Sequence, residues 1–310
     1  MAPLGDGEAR YETSVYSHLR EVPKLLRDYG IINHSFRSLS DFKRICKNYF
    51  EDLMKGDMEG KLPYLGFTLV RMSDLSCIDE IRGVGNFPKM TLLYDSGEKV
   101  LIVKFMVGVK HETWKGLLHD HFFIAVYSRV GHAYSLRPLG SARFRNSLRM
   151  TEADDAFAPT ATRDNEDHWP TVVFEVGVSE TLTQLRLDAR FWLESSPLER
   201  PTRLVIIASI NKAAGTIIME RWEMAPQALQ ARPDNNPNAR QVVPNCVQIL
   251  TLEREKLYDG PPLSIPATLV YDELPIVHGP EWNPSDFEIT AHSLNMMNEI
   301  FWSLKSSVQN

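Results

Sequence analysis

The chain has 310 residues, 43% of them hydrophobic and 24% charged, with a formal charge of -6, proportions that allow a globular protein with ample core. The negative balance gives no general basic face of the kind duplex-binding proteins show. The longest uninterrupted apolar run, Phe122 to Tyr127, is far short of the ~20 residues needed to span a bilayer.

The first residues, Met-Ala-Pro-Leu-Gly-Asp-Gly-Glu, lack the charged and apolar regions of a signal peptide, so an intracellular chain without membrane segments is expected. Cys46, Cys77 and Cys246 are far apart and odd in number, which fits reduced thiols better than a disulfide framework or a zinc spacing.

Along the chain, Phe42, Ile45, Tyr49, Phe50 and Leu53 recur at helical spacing. They predict a helix over 38–56, with Ser38 and Asp41 as a capping box and Gly56 as its stop. The runs 90–94 and 100–107 flank Asp95-Ser-Gly97 and predict a hairpin. Trp114, Leu118, Phe122, Val126 and Val130 form one apolar stripe, hence a helix over 112–130.

Strand, helix, strand and strand are then expected at 171–176, 181–194, 203–210 and 216–224, Thr181 and Gln184 forming a second capping box. A strand, helix, strand order implies a right-handed crossover, and so a mixed sheet with helices packed on it, of α/β or α+β class. Prolines and asparagines between 225 and 245 predict a long surface loop. Beyond it come a strand over 247–252, an irregular Pro-rich stretch over 261–275 and a helix over 290–304. Residues 1–89 are expected to form a helical extension packed on a main domain at 90–310, with the loop excursion at 225–245.

The most informative stretch is Trp169-Pro-Thr-Val-Val-Phe-Glu-Val-Gly-Val-Ser-Glu180, which follows the acidic run Glu152-Ala-Asp-Asp-Ala-Phe157. It puts Glu175 on an otherwise apolar strand, where a carboxylate is costly unless paired, and a divalent cation suits a carboxylate cluster. Asp154 or Asp155 could converge with Glu175 if the acidic run opens a neighbouring strand, and could hold Mg²⁺ or Mn²⁺ there. Arg137, Arg143, Arg145 and Arg149 precede the acidic run; phosphate-seeking beside metal-seeking groups suits a phosphodiester substrate, whereas a solvated basic loop would look the same.

Other signatures are incomplete. Gly83-Val-Gly85 lacks the third glycine of a dinucleotide loop, and Gly177-Val-Ser179 lacks the second glycine of a nucleophile elbow. His119 and His121 are two apart on a predicted helix, so they point apart and are expected to serve packing or surface roles.

Taken together, His119 on its helix, Gly140, Asp154 with Phe157, the segment 169–180 and Asp188-Ala-Arg-Phe-Trp-Leu193 resemble a fungal branch of the PD-(D/E)XK nuclease-like superfamily. The likeness covers roughly 90–224. It implies a restriction-endonuclease-like core, a central mixed sheet flanked by helices, and metal-dependent hydrolysis of DNA or RNA. It further implies metal binding by Asp154, Glu175 and the Val176 carbonyl, with Asp155 as fallback, and phosphate contacts from the 137–149 arginines.

The chain departs from the family pattern at two places. Ala153 replaces a proline, and Gly177 stands where the family carries the lysine that assists the attacking water. Relatives can move that lysine to the following helix near Gln184, which makes Gln184 the candidate third catalytic residue, although glutamine carries no charge. Arg186 and Arg190 are candidate electrostatic substitutes, although an arginine cannot serve as base and a solvent-facing role would give the same pattern. The alternative function is a non-catalytic member that uses the fold to bind nucleic acid or protein.

Overall fold

The computed structural model describes residues 22–55, 62–83, 85–106, 108–131, 135–178, 180–226, 242–275 and 286–304. The first part holds α1 (Lys24–Tyr29), β1 (Asn33–Ser35), α2 (Leu39–Lys55), β2 (Tyr64–Thr68), α3 (Met72–Arg82), β3 (Met90–Asp95) and β4 (Val100–Phe105). Next come α4 (Val109–Val130), β5 (Leu136–Pro138), β6 (Arg143–Arg145), β7 (Arg149–Glu152), β8 (Asp155–Pro159), β9 (Val172–Gly177) and α5 (Leu182–Ser195). The last elements are β10 (Leu204–Asn211), β11 (Thr216–Pro226), β12 (Val242–Glu253), β13 (Leu263–Ile265), α6 (Ala267–Val270), β14 (Phe287–Ile289) and α7 (Ala291–Ser303).

The strands form two six-stranded sheets, ordered β1-β2-β4-β3-β7-β6 and β12-β11-β10-β9-β8-β5, and a small β13-β14 ribbon. In the second sheet β9 and β10 run parallel, joined through α5, while the other pairs are antiparallel. The architecture is therefore mixed α/β. The hairpin, the helices at α2, α4, α5 and α7, and the strands at β9, β10 and β11 stand where periodicity put them.

Side-chain alternation decides which layer each strand residue meets. Val172, Phe174 and Val176 of β9 pack with Trp114, Leu118 and Phe122 of α4, whereas Val173 shares a cluster with Leu185, Ala189 and Trp192 of α5. In the first sheet Leu101, Val103 and Phe105 pack toward Phe42 of α2 and Ile78 of α3. Val100 and Ile102 face the other way, into a cluster with Tyr29 of α1 and Phe191 of α5. Helix α5 is thus held between the two sheets, and alternating β4 and β9 residues are directed at it from opposite sides.

Several elements differ from the sequence expectation. Residues 22–89 contribute β1 and β2 as well as helices, and β2 pairs with β4 across the expected boundary at 89 and 90. Strands β11 and β12 take the ends of the expected 225–245 loop, running to Pro226 and starting at Val242; its middle lies outside the described residues. The 261–275 stretch expected to be irregular contains β13 and α6, because Leu263, Ile265, Ala267 and Val270 are buried in the main core.

Candidate functional site

Parity places the site. Glu175, one residue beyond the α4-facing Phe174, is on the α5 side of the sheet, and Asp154 joins it because β8 pairs antiparallel with β9 from Asp155 opposite Phe174. From the other sheet Lys104, on the same face of β4 as Val100 and Ile102, reaches into the gap. Its Nζ lies 3.0 Å from Asp154 Oδ2, 3.0 Å from Glu175 Oε2 and 3.4 Å from Glu180 Oε2. One ammonium thus joins carboxylates from three segments of chain.

Neighbouring donors fix the carboxylates. The Val176 N–H donates to Asp154 Oδ2 at 2.8 Å, and Trp192 Nε1 donates to Glu175 Oε1 at 2.8 Å. His111, in the first turn of α4, brings Nε2 to 3.2 Å from Asp154 Oδ2. The Tyr64 hydroxyl bridges Glu180 Oε2 at 2.7 Å and Asp188 Oδ2 at 3.0 Å, and Tyr29 donates to Asp188 Oδ1 at 2.5 Å. No side chain among Lys104, His111, Asp154, Glu175, Glu180 and Asp188 is more than 7% exposed.

Four carboxyl groups therefore share one dry volume with one lysine and one histidine, and burial and charge pull in opposite directions. Burial disfavours an ionised Asp154, but Lys104, His111 and the Val176 N–H outweigh it and hold that carboxyl far below its usual range. Burial opposes charge on Lys104 as well, yet Asp154, Glu180 and Glu175 keep its ammonium protonated well beyond its normal range.

The other carboxyls go the opposite way. Burial, reinforced by the charges of Asp154 and Asp188, raises Glu175 and lifts Glu180 to about 7. Asp188 is raised by burial too. His111 is pushed up to about 10, because the Asp154 charge and its hydrogen bonds overcome burial. A divided set of carboxyls around a charged lysine is the electrostatic profile of a functional centre.

Of the residues expected at the site, Asp154 and Glu175 meet. Asp155 does not join them: one residue out of phase, it faces α4, where its Oδ2 lies 2.6 Å from His119 Nδ1. That contact raises the imidazole above its ordinary value, so His119 is held by a structural pair. Val176 reaches the site through its N–H.

Gln184 is committed to structure. Its Oε1 accepts from the Thr181 N–H at 3.1 Å, completing the capping box, and its Nε2 donates to the Tyr29 carbonyl at 3.0 Å. Arg186 forms a two-pronged pair with the buried Glu220, with Nε 3.0 Å from Oε2, and Arg190 is exposed.

Most of the basic segment is also occupied. Arg137 donates to the carbonyls of Arg163, Asp164 and Asn165. Arg143 pairs with Asp79 and Glu152, and Arg149 with Asp95 while lying over the Phe191 ring. Among the described residues only Arg145 of the four has an exposed side chain.

Gly177 has a steric reason. A Cβ there would stand 2.9 Å from Glu180 Cβ and 2.9 Å from Leu185 Cδ1, so a lysine at this position would push the start of α5 off the sheet. The ammonium comes instead from β4. Sequence reasoning missed Lys104, His111, Glu180, Asp188 and the two tyrosines. A usable signal existed for Lys104, the charged residue in the apolar run Val100-Leu-Ile-Val-Lys-Phe105.

Comparison with known proteins adds little. No family profile matches the chain, and no curated protein does. Among solved structures, a DUF820 protein from Anabaena variabilis ATCC 29413, for which nuclease activity is an inference, aligns over 50% of this chain and 88% of its own. Sequence identity is 16% and the TM-score 0.33, a likeness too slight to carry weight for this chain.

Proposed function

We propose that Asp154, Glu175 and Lys104 form a centre for metal-dependent hydrolysis of phosphodiester bonds in a nucleic acid. The observation that carries this reading is the approach of a single ammonium to within 3.0 Å of both carboxylates. It supplies from β4 the third residue type that Gly177 cannot provide.

The donor set suits Mg²⁺ or Mn²⁺. Asp154 Oδ1 is buried and, among the described residues, lacks a hydrogen-bond partner, an arrangement that costs free energy unless a cation or water satisfies it. Among the described residues no three His, Cys, Asp or Glu side chains are arranged as a ligand set, so a cation here would draw on Asp154, Glu175 and oxygens of water and substrate, as Mg²⁺ commonly does. When bound, it would lower the pKa of a coordinated water and offset charge on the phosphate. Trp192 and the Val176 N–H hold the two carboxylates in place, and Lys104 keeps a positive charge beside them.

The test is cleavage of single- and double-stranded DNA and RNA with Mn²⁺ by the wild type, Asp154→Asn and Glu175→Gln. Each substitution is expected to lower cleavage at least ~100-fold, the scale of a removed catalytic group. A second reading, a non-catalytic module that binds nucleic acid or protein around a structural ionic core, is favoured by the complete burial of the centre. Retained binding without cleavage by the wild type selects it.

A further inference from the structure

We propose that Lys104 is the resident counter-cation of this centre, and that a divalent cation and the Lys104 ammonium take turns on Glu175. The idea rests on the metal reading above and adds a competitor within the chain itself.

The oxygen atoms leave little choice. Asp154 Oδ2 accepts from Lys104 and from the Val176 N–H with His111 Nε2 3.2 Å away, Glu175 Oε2 accepts from Lys104, and Glu175 Oε1 accepts from Trp192. Of these four oxygens, only Asp154 Oδ1 lacks a partner among the described residues. A cation bridging both carboxylates can therefore engage Asp154 through Oδ1, and at Glu175 it comes against Trp192 on Oε1 or Lys104 on Oε2; of the two neighbours, the charged ammonium is the one it repels. An ammonium and a dication on one oxygen in a dry site repel each other strongly.

The displaced ammonium has somewhere to go. Glu180 Oε2 is 3.4 Å from the same Nζ and is joined through Tyr64 to Asp188. A rotation of the flexible lysine stem would trade the Glu175 contact for a closer one with Glu180, keeping the charge within the cluster. Glu180 is thus the landing point, on the short link between β9 and α5.

The experiment is calorimetric Mn²⁺ titration at pH 8, where Glu180 is ionised, of the wild type, Lys104→Met, and the charge-balanced double variant Lys104→Met with Glu180→Gln, together with the Mn²⁺-bound wild-type crystal structure. The expected result is at least tenfold tighter binding by Lys104→Met, and a wild-type complex in which Nζ has left Glu175 for Glu180. Should the single variant fail to fold, the double variant, which removes one charge of each sign, is expected to bind tighter than the wild type. Affinities within twofold of wild type, or a bound Mn²⁺ with Lys104 still on Glu175, overturn the alternation and leave the metal reading standing. No Mn²⁺ binding by any folded variant overturns both.

Discussion

Lys104 and Glu175 pose one problem twice, a charged group in an apolar strand, and each is the answer to the other. Glu175 was legible as a residue in need of a partner, and so was Asp154, because both lie within one short stretch of sequence. Lys104 was not, since it is 71 residues from Glu175 and 50 from Asp154, and only the stacking of two sheets on α5 brings it in. Substituting Lys104 alone should cost about 3–5 kcal/mol, because it strands buried carboxylates; adding Glu180→Gln should recover part of that loss in urea unfolding. The cluster also fixes a pH dependence. Glu180 titrates at about 7 in the fold against an ordinary 4.5, so between those values the folded chain holds a proton that the unfolded chain has released, and stability falls as pH rises through that window, by up to about 3 kcal/mol. His111, raised from 6.5 to about 10, stabilises fully below its ordinary value and loses that contribution as pH rises toward 10. The wild type should therefore be more stable at pH 6 than at pH 9. Glu180→Gln should flatten the part between pH 5 and pH 7; a profile that rises from pH 6 to pH 9 would contradict the assignment.

The elements with a regular apolar repeat were readable because burial on one face imposes a period. Helix α4 shows it at Trp114, Leu118, Phe122 and Val126, all 2% exposed or less, and β9 to β11 show it as runs of β-branched residues. Strands β6 and β7 escaped detection for a physical reason. They are short, and charged residues alternate with single buried apolar ones: Arg143 on β6 pairs with Glu152 on β7 and with Asp79 on α3, so the pattern reads as a basic loop beside an acidic run. This divides the four arginines by role. Arg143→Ala should destabilise the protein by about 1 kcal/mol, since the buried Glu152 loses one guanidinium but keeps Arg82 and the Leu92 N–H, whereas Arg145→Ala should stay within about 0.5 kcal/mol, with any effect on nucleic-acid affinity measured as a function of salt. The capping box over Thr181 and Gln184 was visible in the sequence, but the second bond of Gln184, to the Tyr29 carbonyl, crosses from α5 to α1 and was not. Gln184→Ala should lower thermal stability through the lost cap, about 1 kcal/mol, with Mn²⁺ affinity unchanged. A loss of Mn²⁺ affinity without destabilisation would return Gln184 to the centre.

Across the whole molecule, the first sheet, α1 and α5 close over the carboxylates. The cavity beside them, lined by Tyr64, Lys104, Glu175, Asp188 and Trp192, measures about 20 Å³, room for about one water molecule and far too little for a nucleotide. Nor was this closure legible, because it depends on β2 pairing with β4 and so bringing Tyr64 over α5. A hydrolase of this shape has to part the first sheet from α5 before a phosphodiester, or the waters that complete a divalent cation's oxygen shell, can enter. Tyr29 and Tyr64 are the ties to loosen, since Tyr29 holds Asp188 and Tyr64 bridges Glu180 and Asp188. Tyr29→Phe with Tyr64→Phe leaves a buried carboxyl without those donors, which should cost about 2–4 kcal/mol in stability and speed hydrogen exchange in β2 and α5 more than in β10. If opening limits cleavage, the same double variant should cut DNA or RNA faster than the wild type at saturating Mn²⁺, as expected when a conformational step rather than chemistry sets the rate. Faster exchange with no gain in cleavage would mean that the closed ionic core is the working state of the molecule, and would move the balance to the binding module.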